Sequence, residues 1–106
     1  MDDYEYLTIL YDYYGELFSE VQRNYFEWYY FDNLSLAEIA QNVDKSRNAI
    51  HKIIIKNVDS KLYEYEEKLK LYEKSIKIKE ILNSIDNEKV KNKIEELLWR
   101  EDYQFI

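Results

Sequence analysis

Seven residues in one short stretch carry side chains suited to holding a polyanion: Lys45, Ser46, Arg47, Asn48, His51, Lys52 and Lys56. Lysine and arginine pair with phosphate oxygens, and Arg, Asn and Ser also offer directional hydrogen bonds to base edges. A helix opened by Ser46 as N-cap puts Arg47, Asn48, His51, Lys52 and Lys56 on an outer face and Ile50, Ile53 and Ile54 on an inner one. The chemistry expected of such a face is nucleic-acid contact. A catalytic reading finds little to work with, because the chain has one histidine, no cysteine and a single glycine. A glycine-rich phosphate loop and the paired-histidine spacing of a metal site are missing from the sequence. His51, set among Arg47, Lys52 and Lys56, reads as an outward polar residue or phosphate contact rather than a general base. The carboxylates, the neighbours Glu66 and Glu67 included, read as solvated charge spread along helix faces. The expectation is a non-enzyme with no catalytic residue, cofactor or metal.

Those side chains work only if a scaffold presents their helix, and the residues in front supply one. Ser35 followed by Glu38 forms a capping box that opens a helix from about Leu36 to Asn42. Ala40 is small where two helices must cross, and Ile39 and Val43 give the apolar contacts behind it. Asp44 tolerates the left-handed backbone that a tight turn needs. Two short helices joined in this way make a helix-turn-helix, in which the start of the second helix meets base edges and phosphates.

The formal charge of -7 argues against a polyanion partner until it is mapped along the chain. Residues 1–44 hold ten acids and one base, residues 45–61 five bases and one acid, and residues 62–106 nine bases and eleven acids. The one basic island coincides with the second helix of the motif. An ordinary soluble helix also has a charged outer face, so the island alone leaves both readings open.

The remaining pattern predicts an all-α fold, a helical bundle around the helix-turn-helix with a long C-terminal helical extension. Zero proline supports this. A first helix is expected over about Asp3 to Tyr14, with Tyr4, Leu7, Tyr11 and Tyr14 on one side and Gly15 ending it in a C-terminal glycine position. A second opens at Ser19, capped with Gln22, and runs to about Phe31 with Phe18, Val21, Tyr25 and Trp28 on one side, before Asp32 and Asn33 break it. Eight of the twelve tyrosines lie in the first thirty residues. Their spacing fits core packing with the hydroxyls at the edge better than a stacking surface for single strands.

Beyond the motif, Ile55, Val58, Leu62, Tyr65, Leu69, Tyr72 and Ile76 alternate spacings of three and four. This reads as a long apolar seam flanked by Glu64, Glu66, Glu67, Lys68, Lys70, Glu73 and Lys74. The seam either packs on the chain's own helices or forms a homodimer, which would present two recognition helices to one duplex. A bend is expected between Lys74 and Lys91, where Asn83, Ser84, Asp86 and Asn87 interrupt the pattern. A final helix then follows, capped by Asp86 or Asn87, with Val90, Ile94, Leu97 and Leu98 inward and Trp99 near its end. The organisation read from this is residues 1–75 as the helix-turn-helix domain with its long helix, and residues 76–106 as an extension packing on it or on a second subunit. The opening MDDYEYLTILYDYY lacks the basic flank and apolar run of a signal peptide, and no stretch approaches a membrane span of roughly 20 apolar residues. A cytoplasmic location is therefore expected.

The segment YDYYGELFSEVQRNYFEWYYFDNLSLAEIAQNVDKSRNAIHKIIIK with the following LYEYEEKLKLYEK resembles the YlxM family of small bacterial helix-turn-helix proteins, over about residues 7–75. The most specific parts are YDYYGELFSEVQRNY at 11–25, SLAEIAQ at 35–41, SRNAI at 46–50 and YEEKL at 65–69. The resemblance implies a fold like sigma-factor region four and use of the second motif helix, carried here by Arg47, Asn48 and Lys52. It further implies a regulatory or accessory role in the signal recognition particle pathway, with DNA, the particle's RNA or its GTPase subunit as partner. Lys45 stands where that pattern usually has a small apolar residue, and Ala49 where sigma factors often place a polar base-reader.

Overall fold

The computed structural model describes residues 3–98, and within them every regular element is helical. Helix α1 is Asp3–Tyr14, followed by a single tight turn at Gly15–Leu17, then α2 at Glu20–Tyr30. Helices α3 (Leu36–Val43) and α4 (Arg47–Lys52) form the helix-turn-helix. Helix α4 runs on without a break through a π-helical stretch, Ile53–Asp59, into α5 (Ser60–Leu69). Helices α6 (Leu71–Asn83) and α7 (Glu88–Leu98) complete the described chain.

Both expected capping boxes are present. Ser19 Oγ accepts from the Gln22 amide while Gln22 Oε1 accepts from the Ser19 amide, and Ser35 and Glu38 make the same exchange. Asp44 is left-handed at φ 55°, ψ 49°, and the next amide, of Lys45, donates back to Ala40 O at 3.0 Å, which closes α3 and turns the chain toward α4. Asn33, at φ 56°, ends the α2 region in the same way, with Leu34 N donating to Trp28 O.

The core is one cluster fed by α1 to α5, with Leu10, Tyr14, Phe26, Ile39, Ile50, Ile54, Val58 and Leu62 its largest fully buried side chains. A regular four-residue step, Ile50, Ile54, Val58, Leu62 and then Glu66, points inward along the α4–α5 run. In a pure α-helix each step of four overshoots a full turn by about 40°, so four steps would carry the stripe about 160° round the helix. The π-helical stretch corrects this. Its wider turn, seen in Ser60 N donating to Ile55 O five residues back, rotates each residue less and keeps the stripe facing α1 and α2.

The structure corrects several sequence expectations. Gly15 follows the end of α1 as expected, but without a positive φ. Its role is closeness: a Cβ there would lie 3.2 Å from the Tyr11 ring, which itself stacks on Phe26 at 4.2 Å. In α2 the buried residues are Tyr25, Phe26 and Tyr30, whereas Val21 is 59% exposed. In α1, Leu10 is buried with Leu7, Tyr11 and Tyr14, and Tyr4 lies at the rim. The seam predicted as one helix is two, because Lys70 adopts φ 57° and breaks it between Leu69 and Leu71. Within it Val58 and Leu62 are buried, while Ile55, Leu69 and Ile76 remain exposed. The bend after Asn83 falls where expected, with Asn87 Oδ1 accepting from Val90 N to cap α7. Helix α7 buries none of its residues, and Val90 and Leu97 face outward. Trp99 and the WREDYQFI tail lie outside the described residues.

The break at Lys70 is built by a carboxylate that the sequence reading placed at the flank of the seam. Glu66 is buried, with Oε1 accepting from Tyr72 N at 3.1 Å and Oε2 from Glu73 N at 3.0 Å. Tyr14 donates its hydroxyl to Glu66 Oε1 at 2.6 Å and accepts from Leu71 N at 3.0 Å. The first three free amides of α6 are thus satisfied by two side chains from the core, which suits both the unpaired donors and the positive end of the helix. Burial, then the bond to Glu66, raises the Tyr14 pKa above its usual value. With α6 and α7 leading away from the bundle, the molecule measures 56 × 24 × 21 Å.

Candidate nucleic-acid interface

Helix α4 begins where its sequence says it should: Ser46 is extended at ψ 153° and its Oγ accepts from Ala49 N at 3.0 Å. Behind it Ile50 is fully buried against α3, where Ile39 is also fully buried and Ala40 is 7% exposed. The small Ala40 permits the close crossing of the two helices, so α4 is held from its inner face.

Its outer face is free. Lys45, Ser46, Arg47, Asn48, His51, Lys52 and Lys56 are all exposed, and the structure brings them to one side of the turn and of the helix it launches. Ion pairs along the α5–α6 run join Lys61 and Lys68 to Glu64 and Lys70 and Lys77 to Glu73. Arg47, Lys52 and Lys56 take part in none of these pairs. A cation without a carboxylate partner keeps its charge available to phosphates, and each phosphate neutralised releases condensed counterions.

The single acid of the basic island, Asp59, is turned inward and is 4% exposed. It accepts the Tyr30 hydroxyl on Oδ2, and its Oδ1 has no hydrogen-bond partner. Burial raises its pKa to about 6 against a smaller opposing effect of the Tyr30 bond, and the same burial raises that of Tyr30. Asp59 was absent from the sequence reading, and Glu66 figured there only as solvated charge at the flank of the seam. The available signal was their spacing, since both continue or adjoin the four-residue step of buried isoleucines.

The other tyrosines behave as edge-of-core residues with directed hydroxyls. Tyr11 donates to Glu27, which together with burial takes its pKa to about 12, and Tyr4 donates to Tyr30 O at 2.6 Å. No group of three or more acids or histidines placed to hold a metal occurs among the described residues, and no described helix is long and apolar enough to cross a membrane.

The chain matches, over residues 1–101, the family model described as "Putative helix-turn-helix protein, YlxM / p13 like". It is 40% identical over 100 residues to the UPF0122 protein of Thermoanaerobacter sp. (strain X514), covering 94% of this chain and 80% of the relative. To the UPF0122 protein of Halalkalibacterium halodurans it is 41% identical over 92 residues, 87% of this chain and 84% of the relative. To that of Shouchella clausii it is 47% identical over 64 residues, 60% and 58% of the two chains.

Proposed function

Since the chain belongs to the YlxM/p13-like family of helix-turn-helix proteins, we propose that it is a nucleic-acid-binding regulatory protein whose contact surface is the outer face of α4. The observation that carries this reading is the exposed, unpaired cationic set Arg47, Lys52 and Lys56 on a helix fixed from behind by buried isoleucines. Lys45 and Lys56 supply charge at either end of the face, Arg47 and Asn48 stand near the helix start where base edges are reached, and Ser46 and His51 add hydrogen bonds to phosphate. Presentation of two such helices to one duplex calls for a second copy, and the exposed Ile55, Leu69 and Ile76 of the seam are the apolar surface that copy would cover. Residues 76–106, on this reading, are an extension that packs on the first domain or on that second subunit.

A place in the signal recognition particle pathway is the biological setting this proposal adopts, from the likeness of the motifs at 11–25, 35–41 and 46–50. A second reading, contact with the particle's RNA or GTPase without DNA binding, is favoured by one feature, the ten acids against one base in residues 1–44. An acidic body repels a second polyanion at low salt and suits a basic protein.

Fluorescence anisotropy of labelled duplex DNA and of labelled particle RNA over a salt series tests both. An Arg47, Lys52, Lys56 triple-alanine variant removes up to three phosphate contacts, so the slope of log K against log salt should fall by about 2.7 on duplex DNA. Equal slopes for the variant and the parent on every nucleic acid would sink the proposal. Binding to RNA alone would move the function to the second reading.

A further inference from the structure

Around the first turns of α1 the surface carries an acidic, aromatic depression that plays no part in the nucleic-acid reading. Its centre is an open cleft of about 450 Å³ lined by Asp3, Leu7, Tyr30, Ile55, Asp59 and Tyr63, with Ser60 at its edge. On one side a neighbouring cleft shares Asp3, Leu7 and Tyr30 and adds Tyr4 and Tyr29. On the other a third cleft shares Tyr63 and adds Tyr6, Tyr72 and the carboxylates of Glu67 and Glu73, with Lys70 beside them. Tyrosine rings therefore wall the depression, and acids stand both at its rim and at its floor.

The floor residue distinguishes this place from an ordinary acidic surface. Asp59 is 4% exposed and spends only one carboxylate oxygen on Tyr30, leaving Oδ1 without a partner. A buried carboxylate oxygen left unpaired is costly, and native proteins rarely leave one so unless something else completes it. Ile55 and Tyr63, which line the same cleft, are 38% and 39% exposed.

We propose that this cleft is the seat for an arginine or lysine side chain of a basic polypeptide segment, with Asp59 and Asp3 pairing its charge and Tyr63 and Tyr30 enclosing its stem. A guanidinium suits every wall: it stacks on aromatic faces, pairs with carboxylates through directed N–H donors, and gives up its hydration more readily than an ammonium. The alkyl stem lies against Leu7 and Ile55. The occupant is a polypeptide because the depression continues on both sides of the central cleft, giving neighbouring residues of an extended chain further tyrosines and acids to meet. The concentration of acid in residues 1–44, ten against one base, draws such a segment in.

Calorimetric titration of the full chain with an end-blocked peptide of alternating arginine and serine tests the assignment. Asp59→Asn, which keeps the shape and the acceptor for Tyr30, should weaken binding about tenfold. Tyr63→Leu, which leaves the buried carboxylate untouched and so stands independently if the first variant folds poorly, should weaken it about threefold. Glu20→Gln lies ten residues and about 15 Å along α2 from Tyr30 and should change binding by less than about twofold. Undiminished binding by the Asp59 and Tyr63 variants would overturn the site, as would a loss in Glu20→Gln equal to that in Asp59→Asn. Spermidine bound as tightly as the peptide, with the same dependence on Asp59, would overturn the choice of a polypeptide.

Discussion

Replacing Asp59 by Asn should change how stability responds to pH more than stability itself. In the fold the carboxyl titrates at about 6, against an ordinary value of 3.8. The shift is upward, so the folded state holds its proton more tightly than the unfolded chain does. Below the unfolded value both states are protonated and the residue adds nothing. As pH rises from about 4 through 6 the folded state must give up a proton it binds well, and stability is lost. The difference of about 2.2 units corresponds to about 3 kcal/mol of stability forgone at neutral pH. The nearby groups facing the carboxyl are the rim acid Asp3 and the phenols of Tyr30 and Tyr63. The Asn side chain cannot ionise, yet its amide puts donors where Oδ1 now lies unpaired, at a cost of about 1–3 kcal/mol. Absolute stability at neutral pH should therefore move little. The informative quantity is the difference between variant and parent, measured by urea unfolding followed by helical circular dichroism at about pH 4 and about pH 7. Other carboxylates titrate in both proteins and cancel. Relative to the variant, the parent should lose about 2.4 kcal/mol between the two conditions, because at about pH 4 the unfolded carboxyl is already partly ionised. Parallel pH profiles, or a parent that gains on the variant as pH rises, would refute the argument that burial controls this carboxyl.

Three further substitutions probe how the helices are joined. Lys70→Gly should raise stability by about 0.5–1 kcal/mol in chemical denaturation, because a side chain at φ 57° is strained and glycine is not, and the Lys70–Glu73 pair it removes is exposed at 3.6 Å. Tyr14→Phe should cost about 1–3 kcal/mol in the same measurement, since it strips the acceptor from Leu71 N and the donor from Glu66 Oε1 within a buried site. Ser46→Ala should cost about 1 kcal/mol by removing the acceptor for Ala49 N, and hydrogen exchange should show the first turn of α4 opening before the rest of the bundle.

What was legible in the sequence was local. Ser19 with Gln22, Ser35 with Glu38, Asp44 and Ser46 each announce a helix boundary through their own chemistry, and each appears in the structure as read. The outer face of α4 follows from the same local rule, because a six-residue helix anchored by Ile50 leaves Arg47, Asn48, His51 and Lys52 no other direction. What was not legible depends on partners distant in sequence. Glu66 looks like one more surface acid until Tyr14, 52 residues away, and the amides of α6 are brought to it. Lys70 carries no turn signal of its own, and its left-handed backbone is imposed by the cap that Glu66 supplies. Val21 shows the opposite failure, an apolar residue at helical spacing that no neighbour arrives to cover.

The π-helical stretch at Ile53–Asp59 acts as a gear between the contact helix and the bundle. Were the stretch to revert to plain α-helix at unchanged length, each four-residue step through it would again overshoot a full turn by about 40°, and everything before it would turn out of register with everything after. With Val58 and Leu62 clamped in the core, the side that turns is α4. The face that carries Arg47 and Lys52 would turn with it, while every cap kept its local sequence. The aim of the cationic face is thus set by the type of helix at a point several residues beyond it. Substitutions that straightened that stretch into plain α-helix would be expected to weaken binding more than the loss of any one contact residue.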